Sequence, residues 1–205
     1  MPPGTRDGAA PPQTAPQATD HDPEQEAREA LARGDRDGAL AILMRAYGSA
    51  LYRFCHQMVA DPDLAKDVHQ STFLQAFEGL EGFGGQFLFR AWLYRIARNR
   101  CLDALKIARR REKRFPGAGE LPESPDPNAG ADVSLGEKDR AAAVRRCLGE
   151  LAPHIHSAVL LRFQEGFSYE QMAKLLRERA PTLQARVARA LPVLRRCLEA
   201  QGLAA

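Results

Sequence analysis

The chain has 205 residues, 44% hydrophobic and 27% charged, with a formal net charge of only +3. These are the proportions of a soluble protein with at least one core, large enough for one ordinary domain or two small ones. No run of about 18 apolar residues offers a membrane span, and the N-terminus lacks a basic start followed by an apolar core, so a cytoplasmic protein is expected.

In chain order, residues 1–25 are rich in Pro, Ala, Thr and Gln, with hardly any large apolar side chain. Such a segment cannot bury enough surface to offset its ordering entropy, which predicts a disordered tail over 1–35. Asp20, Asp22, Glu24, Glu26 and Glu29 make its end acidic. From Asp37 the pattern turns helical: Leu40, Leu43, Met44, Tyr47, Leu51, Phe54, Cys55 and Met58 share one face. The next helix begins at Asp61-Pro62, an acid able to cap it and a proline suited to its first turn. It runs from Asp63 to about Leu80, with Leu64, Val68, Phe73, Ala76, Phe77 and Leu80 inward, before a Gly-rich loop.

The organising stretch is Phe87 to Arg114. Trp92, Leu93, Ile96, Ala97, Cys101, Ala104, Leu105 and Ala108 recur at the three- and four-residue steps of a buried helical stripe. Its flanks carry ten cations against two anions, Asp103 and Glu112. A packed helix with so concentrated a cationic flank is a candidate to lie against a polyanion.

Pro116, Gly117, Gly119, Pro122, Pro125, Pro127 and Gly130 allow no sustained helix, and four acids accompany them. An extended linker over 116–137 is predicted. A second helical unit over 138–205 follows. Val144, Cys147, Leu148 and Leu151 share a side, and Ile155, Val159, Leu160 and Phe163 point inward from the next helix. Ser168 to Gln171 has the form of a capping box. A short helix, a turn at Arg177–Ala180 and a longer helix to about Leu198 then make a helix-turn-helix. Pro192 falls inside that last helix, where it should kink or end it. The four cysteines, Cys55, Cys101, Cys147 and Cys197, read as small buried hydrophobes. No Cys or His spacing suits zinc, His154 and His156 lack neighbouring ligands, and neither metal nor cofactor is expected.

Two segments resemble one family, the extracytoplasmic-function (group IV) sigma factors of bacterial RNA polymerase. LYRFCHQMVADPDLAKDVHQSTFLQAF and FRAWLYRIARNRCLDALKIARRR look like that family's region two, and LAPHIHSAVLLRFQEGFSYEQMAKLL is similar to its region four. The recognition helix departs from the family pattern: Arg177 replaces a turn glycine, and Gln184 and Ala185 stand where lysine and serine are usual.

The resemblance implies an all-α protein in two units, 36–115 and 138–205, and names core RNA polymerase and promoter DNA as partners. It leaves an anti-sigma factor open as a third, and suggests a stress- or signal-responsive regulon. It also assigns roles to individual residues. Gly84, Gly85, Gln86, Phe87, Arg90, Arg95, Arg98, Asn99 and Arg100 would meet the promoter's −10 region. Arg179, Thr182, Gln184, Arg186 and Arg189 would meet its −35 region. Asp61, Asp63, Asp67 and Gln70 would face polymerase. Physically, arginines along the helix would neutralise phosphates and fix register, while the Gly-rich loop with Gln86 and Phe87 would hold a flipped base. No catalytic constellation competes, so the chain is not expected to be an enzyme. A stand-alone helix-turn-helix regulator and a protein-binding helical adaptor remain the rival readings.

Overall fold

A computed structural model describes residues 22–84, 88–114 and 135–203, and among these no strand occurs. The first unit opens earlier than the composition predicts. Helix α1, Pro23–Ala32, starts at Asp22, whose carboxylate accepts from Glu24 N at 3.0 Å. Ala27 and Ala30 are buried against the next helix. The disordered tail expected over 1–35 is therefore corrected from residue 22 onward, while residues 1–21 lie outside the described residues. Alanines that let a helix lie flat on its neighbour carry little apolar signal in a sequence, which is why this element is hard to read there.

Helix α2 (Arg36–Val59) is capped by Asp35 through Gly38 N at 2.8 Å. Gly38 makes room for that cap, since a Cβ there would lie 2.0 Å from Asp35 Oδ2. Helix α3 (Pro62–Gly79) has Asp61 accepting from Leu64 N at 2.8 Å, as the Asp-Pro pair predicts. Helix α4 runs Phe89–Arg114. Leu43, Leu51, Phe54 and Cys55 of α2, Ala65, Phe73 and Ala76 of α3, and Phe89, Leu93, Tyr94, Ala97 and Cys101 of α4 make one continuous core. Met44, expected inward, is 45% exposed. At the α3–α4 joint, a Cβ on Gly79 would lie 2.9 Å from Trp92 Cζ2, so only glycine admits the indole there.

The second unit begins with α5 (Leu135–Gly149) and α6 (Pro153–Val159). A π-helical turn, Leu160–Gln164, continues α6, closed by Glu165 N donating to Leu160 O at 3.0 Å. The extra residue in that turn rotates the following face. Leu161 is fully buried, while Phe163, expected inward, is 46% exposed. Val144 of α5 is likewise corrected to an exposed position. Helix α7 (Tyr169–Leu176) opens on the predicted capping box, with Gln171 N on Ser168 Oγ and Ser168 N on Gln171 Oε1. It ends at Arg177 in the left-handed region, φ 55°. Helix α8 spans Ala180–Ala200, so of the two outcomes expected at Pro192, a kink or an end, the helix does not end there. Ala188, whose carbonyl loses its donor, is exposed, so water can satisfy it.

Two further expectations change. Cys147 and Cys197 are not separate buried hydrophobes but form a disulfide between α5 and α8, whereas Cys55 and Cys101 are buried free thiols as predicted. Cys55 and burial both push the Cys101 thiol well above its ordinary range. The two units also pack against each other: the Tyr94 ring stands edge-on between Phe54, at 5.3 Å, and Phe167 of the second unit, at 5.4 Å. The predicted linker is largely outside the described residues, except that α5 already begins at Leu135.

Candidate nucleic-acid interface

Helix α4 places the candidate promoter-facing residues, and its start is fixed from a distance. Glu24 of α1 accepts from Phe89 N at 2.7 Å and Arg90 N at 2.8 Å, and from the Tyr47 hydroxyl at 3.1 Å. A carboxylate thus satisfies two of the free amides of α4's first turn and meets its positive end. Burial, then the nearby Glu24 charge, pushes the Tyr47 phenol well above its ordinary value. On the other side, Phe83 stacks on Phe89 at 4.2 Å and meets Trp92 at 5.0 Å. The Gly-rich loop between these anchors includes Gly85, Gln86 and Phe87, which lie outside the described residues; Gly84 is exposed.

The arginines of α4 divide into two sets. Arg90 donates to the Glu165 carbonyl, pairs with its carboxylate at 3.7 Å and covers the Phe167 ring at 4.4 Å. Arg98 Nε donates to Ser157 Oγ at 2.9 Å, and burial lowers its pKa. Both are held by the second unit. Tyr94 joins them by donating its hydroxyl to Glu165, and burial followed by that carboxylate pushes its phenol far up. Asn99 and Arg100 are exposed, Arg95 is half-buried, and Arg100 donates to Gln75 at 3.0 Å. Further along, Lys106, Arg109, Arg110, Arg111, Lys113 and Arg114 all reach solvent. Four of these cations rim a groove of about 530 Å³ floored by Leu102 and Leu105 and closed by Pro153 and His154 of α6.

In the helix-turn-helix, the N-cap residue Arg179 and Thr182, Gln184 and Arg189 of the first half of α8 are exposed. Arg186 instead grips Glu178 in a two-pronged pair, at 3.0 and 2.5 Å. That pair draws the Glu178 carboxyl below its usual range and raises the Arg186 guanidinium. Of the acids expected to face polymerase, Asp61 is occupied as the α3 cap, and Asp63 pairs with Lys66 at 3.1 Å. Asp67 and Gln70 are exposed one and two turns on. Behind α8 lies a second groove, about 880 Å³, with Val144, Leu148, Phe163, Leu191, Leu194 and Leu198 among its lining. Among the described residues no His, Cys, Asp and Glu cluster could hold a metal.

Family models match this chain twice and in order: Sigma-70 region 2 over residues 43–111, and Sigma-70, region 4 over residues 141–191. Together they span more than half of it. The chain belongs to the sigma-70 family, in its extracytoplasmic-function group. It is 29% identical over 185 residues to the RNA polymerase sigma-H factor of Pseudomonas aeruginosa, covering 86% of this chain and 94% of that one. The ECF RNA polymerase sigma-E factor of Salmonella typhimurium is 29% identical over 172 residues, covering 79% and 87%. Among solved structures, the sigma factor RpoE of Bartonella quintana, crystallised in complex with the anti-sigma factor NepR, superposes with a TM-score of 0.63 at 26% identity, covering 76% and 94%. The residues that periodicity missed are Glu24, which fastens α1 to the start of α4, and Ser157, Glu165 and Phe167, which join the two units. Only the isolated acid Glu165 between Gln164 and Gly166 hints at such a role in the sequence.

Proposed function

We propose that this protein binds core RNA polymerase and directs initiation at a specific set of promoters, with the nucleotidyl transfer left to the polymerase. The ordered pair of family matches carries this reading. Residues 36–115, with α1 as a brace, form the unit that engages polymerase and the −10 region, and 138–205 the unit that engages the −35 region. Asp67 and Gln70 offer the polymerase-facing surface, with Asp63 beside them. Arg95, Asn99 and Arg100 stand open to DNA, along with the outer cations of α4, while Arg90 and Arg98 become available only when the second unit leaves α4. On α8, Arg179, Thr182, Gln184 and Arg189 face outward, and Arg186 must exchange Glu178 for phosphate.

The promoter-bound form is therefore an opened one. Each good base contact contributes about 1–3 kcal/mol of discrimination. Asn99 and the loop residue Gln86 are the sequence readers of the first unit, and Gln184, in a helix without the family's lysine and serine, is a weaker one. Likeness to the Bartonella factor extends the partner set to an anti-sigma protein. The protein works in the cytoplasm, where its polymerase is. Reconstitution with core polymerase tests all of this: promoter-dependent transcripts and co-purification are expected. Asn99→Ala or Gln86→Ala should reduce initiation more than Gln184→Ala. Absence of polymerase binding would favour a stand-alone DNA-binding regulator.

A further inference from the structure

The Cys147–Cys197 bond lies at the edge of the apolar groove, and no part of the family reading uses it. It joins residues 50 apart and fastens the distal end of α8 to α5. Cys147 is 1% exposed and Cys197 half-buried, so an incoming reagent meets Cys197 first. Glu150 Oε1 is 3.5 Å from Cys197 Sγ, placed to accept the thiol proton once the bond is reduced. Pro192 precedes Cys197 by less than two turns and leaves the carbonyl of Ala188 without a helical donor. Beyond that weak point α8 is held by Leu194, the partly buried Leu198 and the disulfide, with Arg146 of α5 donating to Gln201 at its C-cap at 2.9 Å. Disulfides in a reducing compartment are made and broken in service rather than permanent.

We propose that Cys147 and Cys197 form a thiol–disulfide modification site whose co-substrate is a dithiol of the thioredoxin class, and that its redox state decides whether distal α8 is clamped to α5 or released. The compartment, and only the compartment, rests on the function proposed above. In reduction a thiolate of the dithiol attacks Cys197 Sγ; the S–S bond breaks and Cys147 leaves as a thiolate that takes a proton. The second thiol of the donor then attacks the mixed disulfide, releasing Cys197 as a thiolate that is protonated in turn. The donor ends as its own disulfide, so two electrons and two protons reach this chain. The reverse sequence, with the oxidised donor, restores the bond. Oxidised, the groove has a fixed wall; reduced, Leu194 and Leu198 swing away from Leu148.

The test uses full-length protein equilibrated with reduced or oxidised thioredoxin, followed by alkylation, peptide mass analysis and timed trypsin digestion. Peptides of Cys147 and Cys197 should pass from linked to alkylated, while those of Cys55 and Cys101 remain free thiols in both states. Cleavage after the exposed Arg195 and Arg196 should quicken about tenfold or more on reduction. The Tm should fall by roughly 5–15 °C. C147S/C197S should behave as the reduced form under both conditions, and reduced wild-type protein supplies the same comparison where that variant folds poorly. A bond that thioredoxin neither reduces nor re-forms, or equal cleavage rates in the two states, overturns the proposal. These measurements use the isolated protein, so a failure to bind polymerase would count against the proposed function and leave this result readable.

Discussion

Between Phe89 and Cys101, helix α4 buries Leu93, Tyr94 and Ala97 completely and commits Arg90 and Arg98 to Glu165 and Ser157. Between Leu102 and Arg114 the same helix has outrun its core: Leu102 and Leu105 are half-buried, Ala108 is exposed, and six cations face solvent. Both halves show the same periodic stripe and the same arginine-rich flank in the sequence. What separates them is what stands opposite, namely α2, α3 and the second unit for the inner half, and mainly Pro153 and His154 for the outer half. A cationic flank therefore has two physical meanings, an internal strut and an open electrostatic surface, and only tertiary placement tells them apart.

The sharpest way to break that contrast is at the inner half. Tyr94→Ala removes a fully buried ring, both its aromatic contacts and a hydroxyl bonded to Glu165, and should lower unfolding stability by about 3–5 kcal/mol in urea titrations. A second test is acidity. His156, beside the serine that holds Arg98, is 4% exposed, and burial lowers its pKa from 6.5 to about 4. The unfolded chain takes up that proton first as pH falls below 6.5, so the stability is complete above that value and lost progressively down to about pH 4. The loss approaches about 3 kcal/mol, and His156→Gln should flatten that part of the pH profile.

Smaller still is the cap. Glu24→Ala leaves Phe89 N, Arg90 N and the Tyr47 hydroxyl without their acceptor, for an expected cost of about 1–3 kcal/mol. Hydrogen exchange should locate that cost at the first turn of α4. At the outer half, Lys106→Ala or Arg109→Ala should change stability by no more than about 0.5 kcal/mol. Each should instead reduce the salt dependence of promoter binding by about 0.9 in log–log slope, the share of one phosphate contact. A large stability loss at Lys106 would erase the distinction between the halves.

Much of this architecture is local and so was readable in advance. The Asp61-Pro62 start, the Ser168–Gln171 capping box, the α4 stripe and both helical units depend on neighbours within a few positions. What could not be read joins distant residues. Glu24 reaches Phe89, Arg90 reaches Glu165, and Cys147 reaches Cys197, across separations that no periodicity encodes. The π-helical turn is a different case, because one added residue reverses Phe163 from inward to outward without any change in composition. Thr182, Gln184 and Arg189 of α8 are exposed, whereas Arg186, grouped with them from the sequence, is held by Glu178.

The close approach of Gly79 and Trp92 has an optical consequence. Trp92 is the only tryptophan in the chain, and its indole sits among Phe83, Phe89 and the bare backbone of Gly79, directly beside the loop assigned to promoter reading. Excited at the red edge of its absorption, where the four tyrosines hardly absorb, the protein thus gives a single-site emission signal from the α3–α4 joint. The quenching and anisotropy of that tryptophan emission would follow the arrival of a nucleobase at the joint in real time, with no dye attached.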